Sequence, residues 1–294
     1  HKETFDSMKQ DAKPGFFGRL FGLSKKEKGI KPGPDILLKS TGPTPDYQPD
    51  PVDICFCGSG KFFKSCCGSM EENRPPPFGV FIFENYLSAE HIKKLRDQFN
   101  KLPSEPLMII DNELSTPEKI VNRLDDQRKS ERVDTSEYSA ALNFIVRSAF
   151  VELADKCFKR KMDWFEVPQL LRYYPGGFYQ GHADSENMDP KTRCWNKVID
   201  RDLSMLIYLN DDFEGGELSF DKFHYKLRPK SGTAVIFPSD NRYMHTAHTV
   251  HEGMRQAIVS WGSVQGIEKI SSKPPENAIL IEYANLSENS ENNV

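Results

Sequence analysis

The chain has 294 residues, a formal charge of −4 at pH 7, 37% hydrophobic and 28% charged residues. That length suffices for one or two buried cores, and no apolar run approaches the roughly 18–20 residues that cross a bilayer. The net negative charge excludes a global attraction to nucleic acid or acidic membranes, so any such contact must be local.

Residues 1–52 read as a flexible leader and linker. Gly15 to Leu23 is a short apolar segment beside Lys25 and Lys26, which suits a membrane surface or a partner's face as well as a loosely packed leader. Six prolines between Lys31 and Val52 make the remainder a linker. A cysteine cluster occupies 53–69, and Arg74-Pro75-Pro76-Pro77 forms a stiff spacer, since successive prolines favour extended geometry. The main domain is expected over 76–265. It opens with a strand at Val80-Phe81-Ile82-Phe83 and a helix capped by Ser88, with Ile92, Leu95 and Phe99 on one face. Residues 102–135 are polar without a clean period and read as a strand or two plus a mobile, charged loop. Helical periodicity returns at Ser136 to Phe158, where Ala141, Phe144, Ile145, Ser148, Ala149 and Leu153 form a stripe facing a sheet.

From Val167 onward the pattern becomes short strands at Pro168 to Tyr174, Leu203 to Leu209, Glu217 to Phe220, Thr233 to Phe237 and Arg255 to Trp261. Turn signals such as Pro175-Gly176-Gly177 and Lys230-Ser231-Gly232 separate them. The fold class that follows is α+β, mainly β: a jelly roll with supporting helices. The tail at 266–294 is polar; Ala278 to Tyr283 adds one strand, and Ser287 to Val294 has the composition of disorder.

Of six cysteines, Cys55, Cys57, Cys66 and Cys67 fall within thirteen residues, whereas Cys157 and Cys194 stand alone. In a chain this large that distribution favours metal binding and a reducing compartment over disulfides, hence a cytoplasmic location.

His182-Ala183-Asp184 ends a strand-like run, and residues i and i+2 of a strand project to one side, so both can bind one ion. The tripeptide alone is common by chance. Two histidines and a carboxylate on one face of an octahedron leave three cis positions open, an arrangement that suits non-haem iron(II). Three histidines, His245, His248 and His251, compete for the remaining place.

The run from Leu171 to Asp184 (LRYYPGGFYQGHAD) resembles the metal-binding segment of prolyl 4-hydroxylase-type oxygenases. The segments Tyr208-Leu209-Asn210-Asp211, Glu214 to Phe220, Lys230 to Phe237 and His245 to Arg255 are similar to the strands that follow in that family, in order, over roughly Phe78 to Gly262. The resemblance implies a double-stranded β-helix and an Fe(II), 2-oxoglutarate and O2 requirement, with ascorbate as a candidate accessory. It selects the distal ligand too: the family's metal histidine lies ten residues before a basic residue, with Val five and Gly two before it, a frame met by His245, Val250, Gly253 and Arg255. His248 and His251 become surface or rim residues; Ala247 stands where the family has a larger aliphatic residue. Arg255 is implied to grip the far carboxylate of 2-oxoglutarate through two parallel hydrogen bonds, helped by Tyr208 and Tyr173, for which ordinary core aromatics are the rival reading. Arg201, Tyr179 and Trp261 fall near the implied substrate entrance; a solvated arginine and ordinary packing are the rival readings.

The implied reaction hydroxylates a prolyl residue of a protein, releasing succinate and CO2, and residues 103–135 would form a lid over the peptide. Alternatives are the same iron chemistry on another side chain or a small molecule, or a non-catalytic binding protein on this barrel. A nucleic-acid substrate lacks the expected basic groove with stacking aromatics.

Finally, Cys55 to Gly68 (CFCGSGKFFKSCCG) resembles the SEC-C zinc motif. C-x-C-x8-C-C supplies four thiolates, enough to close a structural zinc site, and zinc would supply the folding energy of so small a module. The resemblance implies docking to translation or secretion machinery, with Lys61 and Lys64 as a basic patch.

Overall fold

The computed structural model describes residues 35–71, 73–110, 122–124 and 126–283. The apolar segment at 15–23, the centre of the expected lid and the terminal stretch at 287–294 lie outside the described residues.

Two facing antiparallel sheets make the body, as the strand spacing predicts. The larger sheet runs in the order Phe81–Phe83, Ala234–Pro238, Leu203–Tyr208, Arg255–Val264, Gln169–Tyr173, Glu131–Val133 and Ser104–Pro106, with Met162–Glu166 and Ala278–Leu280 joined off the far half of Arg255–Val264. The smaller runs Tyr225–Leu227, Leu218–Phe220, His245–Ala247, Phe178–His182 and Arg128–Lys129. Arg255 pairs with Tyr173 across one ladder, while Tyr208 pairs with Ala257 across the next. The odd-numbered residues Arg255, Ala257, Val259 and Trp261 share one face of their strand, because strand side chains alternate.

Helix Ala89–Phe99 starts at Ser88, whose hydroxyl accepts from the His91 amide at 3.3 Å. It buries Ile92, Leu95 and Phe99 as its period predicts. Helix Ser139–Ala149 continues through a π turn at Phe150–Ala154 into Asp155–Phe158. The predicted stripe is corrected at one position. Phe144 is 37% exposed, whereas Leu142 and Val146 are buried. Each residue turns the helix by about 100°, and Phe144 falls two steps past Leu142, away from the face that Ile145, Ala149 and Phe150 present to the sheet.

The linker expected through residue 52 is docked rather than free over its described part. Ile36 and Leu37 are buried in the main core, and Thr44–Pro45 pairs with strand Cys194–Lys197, which pairs with Glu186–Met188. The cysteine module also shares the body's core: Cys55, Phe63 and Cys67 belong to the same apolar cluster. Phe56 stacks on Phe223 with centroids 5.7 Å apart. Beyond it, Arg74 lies over the Tyr225 ring at 5.2 Å and donates to the Phe223 carbonyl. Of the predicted lid, Met108–Ile110 and Asn122–Leu124 form a two-stranded ribbon. The tail adds Ala278–Leu280 as an edge strand, as expected. Among the described residues, no helix is long and apolar enough to cross a membrane.

Candidate active site and cysteine cluster

His182 ends strand Phe178–His182, and its Cα partner across the sheet is His245. A register irregularity between Tyr179 and His182 re-aims the end of the strand, as bulges do beside active sites. The Nε2 atoms of His182 and His245 lie 3.4 and 3.5 Å from the two Asp184 oxygens, and one ligand atom from each residue falls within 4.8 Å of the others. The Nδ1 atom of His182 faces the Gln180 carbonyl at 2.8 Å, and that of His245 faces the Tyr243 carbonyl at 3.1 Å. A carbonyl only accepts, so each Nδ1 carries the proton and each Nε2 presents a lone pair to the shared space.

Asp184 is held by Ser204, whose hydroxyl donates to Oδ2 at 2.6 Å and contacts Ser239 Oγ at 2.8 Å. Burial alone would raise the Asp184 carboxyl; His245, His182 and the Ser204 hydroxyl outweigh it and hold the group well below the usual carboxylate range. Burial, and then the neighbouring His182, lower His245 from 6.5 to about 4. A neutral imidazole at His245 beside a carboxylate is the protonation state a divalent metal requires. A stability consequence follows. Between pH 6.5 and about 4 the unfolded chain binds a proton at His245 that the folded chain refuses, so the melting temperature of the metal-free protein falls as pH drops through that window. His245→Asn should flatten this part of the pH–melting curve.

Arg255 is 1% exposed. Its guanidinium carbon lies 4.8 Å from the Tyr173 ring centroid and 5.2 Å from that of Tyr208, and Nη2 donates to the Tyr208 hydroxyl at 3.1 Å. Nε and Nη1 meet no acceptor among the described residues. A buried cation with two unmet donors is costly and fits a carboxylate-bearing ligand. Tyr173 also belongs to a small apolar cluster with Ala247 and Val250, against which Tyr179 and Trp261 pack. That cluster joins the arginine's surroundings to the strands that carry the histidines.

The three residues expected at the entrance are all ordered by the site. Tyr179 stacks on His182 at 3.6 Å, and Arg128 covers its other side at 4.6 Å. Arg201 is no free surface cation: Nε and Nη2 bond the Glu166 carboxylate at 2.5 and 2.8 Å, Nη1 reaches the Asp184 carbonyl at 3.3 Å, and the guanidinium lies 3.9 Å over Trp261. His248 meets Ser219 at 2.9 Å and His251 is exposed, so both sit outside the triad. Ser204, Ser239, Glu166 and Arg128 escaped the sequence reading. Inward alternation on strand 203–208 was the one available signal, and it reached Ser204 alone.

The four clustered cysteines also present Sγ atoms within 4.8 Å of one another. Gly58 and Gly60 take φ of 76° and 73°, the left-handed region glycine occupies without penalty, and so return the chain to the cluster. The Cys57 and Cys66 sulfurs are 3.5 Å apart, the Ser59 hydroxyl is 3.2 Å from Cys66, and the Phe78 amide donates to Cys67 at 3.4 Å. Burial opposes ionisation of Cys57, but hydrogen bonds from Ser59 and the neighbouring thiols prevail and bring it to about 7. Four convergent sulfurs with amide and hydroxyl donors fit a closed tetrahedral zinc site. Cys57→Ser combined with Cys66→Ser should remove one equivalent of zinc, measured by metal analysis. It should also lower the melting temperature, because the module shares the body's core.

Residues 168–263 match the family model for the 2OG-Fe(II) oxygenase superfamily, and this stretch is a 2OG-Fe(II) oxygenase domain. The chain is similar to prolyl 3-hydroxylase 2 of Rattus norvegicus, 37% identical over 89 residues that cover 27% of this chain and 13% of that protein. It is also similar to a PKHD-type hydroxylase of Psychrobacter sp. (strain PRwf-1), 32% identical over 99 residues, or 32% of this chain and 36% of the relative. The chain thus spans well under half the length of these relatives. Among solved structures, the viral collagen prolyl hydroxylase of Paramecium Bursaria Chlorella virus-1, in its 2OG complex, aligns with a TM-score of 0.44 at 18% identity, over 63% of this chain and 97% of that one.

Proposed function

We propose that this chain is a 2-oxoglutarate- and O2-dependent hydroxylase acting on a prolyl residue of a protein. His182, Asp184 and His245 would hold Fe(II), and Arg255 with Tyr208 would hold the co-substrate's far carboxylate. The observation that carries the reading is the buried Arg255 with two unmet donors, in the same barrel as two imidazoles and a carboxylate with converging ligand atoms. When bound, iron and 2-oxoglutarate supply the oxidising chemistry that inserts one oxygen atom into a substrate C–H bond and leaves succinate and CO2. The chain's own residues orient and exclude. Arg255 offers a planar pair of donors that fixes a carboxylate's direction, and Tyr173 and Tyr208 wall it from water. Ser204 keeps one Asp184 oxygen engaged, leaving the other for the metal.

The prolyl assignment draws on the relatives, both named as hydroxylases and one as a prolyl hydroxylase. Tyr179, Trp261 and Arg201 would frame a peptide at the entrance, and the ribbon at 108–124 would flank it. In this reading residues 76–265 form the catalytic unit, and the 53–69 module is a zinc-bound adaptor for docking to translation or secretion machinery. The metal-type clustering of Cys55, Cys57, Cys66 and Cys67 suits a reducing, cytoplasmic setting. The test has two stages. Iron-dependent succinate release from 2-oxoglutarate is expected from the purified chain, and mass spectrometry of proteins from cells with and without it should find one added oxygen on a proline. Added oxygen on another residue type would overturn the prolyl assignment, and no succinate with any protein extract would overturn the enzymatic one.

A further inference from the structure

Between the two candidate metal centres lies a buried polar junction that the proposed chemistry does not use. Glu186 is 6% exposed and stands two residues after Asp184. Its Oε2 accepts from the Asn241 amide at 2.7 Å and from Asn241 Nδ2 at 2.8 Å, and its Oε1 accepts from Lys39 Nζ at 2.7 Å. Asn241 opens the 3-10 turn Asn241–Tyr243, which ends two residues before His245. Its own Oδ1 accepts from the Tyr47 amide at 3.2 Å. One carboxylate therefore ties together the strand following the His182–Asp184 pair, the turn preceding His245, and the docked strap at 36–47.

The strap runs directly into the cysteine module, which reaches the same turn by a second route. Tyr47 meets Phe56 edge-on at 5.7 Å, Phe56 stacks on Phe223 at 5.7 Å, and Phe223 packs on Tyr243 at 5.3 Å. Tyr243 donates through its hydroxyl to the Phe78 carbonyl at 2.6 Å. Its backbone carbonyl is the group that orients His245. A polar path, ending on Asn241, and an aromatic path, ending on Tyr243, thus meet in the same 3-10 turn before the distal ligand.

We propose that Glu186 is a positioning residue for the iron ligands, and that the strap and the Phe56–Phe223–Tyr243 stack make metal affinity at His182, Asp184 and His245 depend on a filled cysteine cluster. This rests on the iron-site reading above. Ligands already held in place lose little freedom when the ion arrives, so affinity falls when their supports are removed. Such dependence is reciprocal: metal bound at one centre raises the affinity of the other.

Mn(II) serves as the probe, since it binds carboxylate–imidazole sites and its free ion is counted by electron paramagnetic resonance. Titrations would compare the full chain, the full chain stripped of zinc, and the variants E186A, E186Q and K39M. Each would be run well below its melting temperature and checked for folding by circular dichroism. E186A should weaken Mn(II) binding roughly 10–100-fold, the range for lost outer-shell support. E186Q, which keeps an acceptor for Asn241, should weaken it less. K39M and zinc removal should shift affinity in the same direction. A purely structural role predicts lower melting temperatures with unchanged Mn(II) affinity of the folded protein, and that result would overturn the proposal. If E186A does not fold, unchanged affinity in both E186Q and the zinc-stripped chain overturns it equally. Failure of the unaltered chain to bind Mn(II) would instead overturn the iron-site reading and this inference with it.

Discussion

Replacing Arg255 with Met is expected to raise the 2-oxoglutarate concentration for half-maximal turnover roughly a hundred- to thousandfold. Removing one partner of a buried ion pair costs about 3–5 kcal/mol, and each 1.4 kcal/mol or so is tenfold in affinity. Arg255→Lys should fall between, because an ammonium keeps the charge but lacks the fork of parallel donors. The same substitution makes an unusual demand on stability. Arg255 is enclosed by Tyr173 and Tyr208 with Nε and Nη1 unmet, so a shorter, uncharged methionine should leave the ligand-free protein as stable or more so. Calorimetry without 2-oxoglutarate, beside succinate assays with it, separates the two effects. A large fall in melting temperature with an unchanged co-substrate requirement would assign Arg255 to packing.

Asp184→Ala is expected to abolish turnover and to weaken Fe(II) binding more than a hundredfold. Loss of an outer-shell partner already costs about 10–100-fold, and Asp184 is the one carboxylate of the cluster. Ser204→Ala gives the graded comparison. It leaves all three ligand side chains in place but frees the oxygen that the hydroxyl holds at 2.6 Å, so affinity should fall within the outer-shell range. Isothermal titration with Fe(II) under anaerobic conditions measures both. Equal affinity in Asp184→Ala and the unaltered chain would remove this carboxylate from the site.

The His182–Asp184–His245 cluster was legible through the family resemblance: His182 ends its strand and Asp184 lies just past it, and the family's ten-residue frame from 245 to 255, not strand geometry, chose His245 over His248 and His251. The cysteine module was legible in the same way, four ligands and two turn glycines lying within one short run. Its attachment was not. Ile36 and Leu37 are two apolar residues in a proline-rich stretch, and their burial depends on residues far along the chain, among them Arg242, which donates to the Ile36 carbonyl. Glu186 and Asn241 were invisible for a related reason. A buried acid and its amide partner 55 residues apart leave no periodic trace, since their pairing is a product of tertiary packing. Phase within a helix was only partly legible, as the exchange of Phe144 for Leu142 and Val146 shows.

Both ligand imidazoles lean on a main-chain carbonyl two residues earlier, Gln180 in the same strand for His182 and Tyr243 in the preceding 3-10 turn for His245. Such partners are main-chain atoms, so no single substitution can exchange them for a carboxylate or an amide. The orientation of both rings is consequently set by the backbone, and the carboxylate corner, through Ser204 and Ser239, is where mutation can retune which ion the pocket prefers.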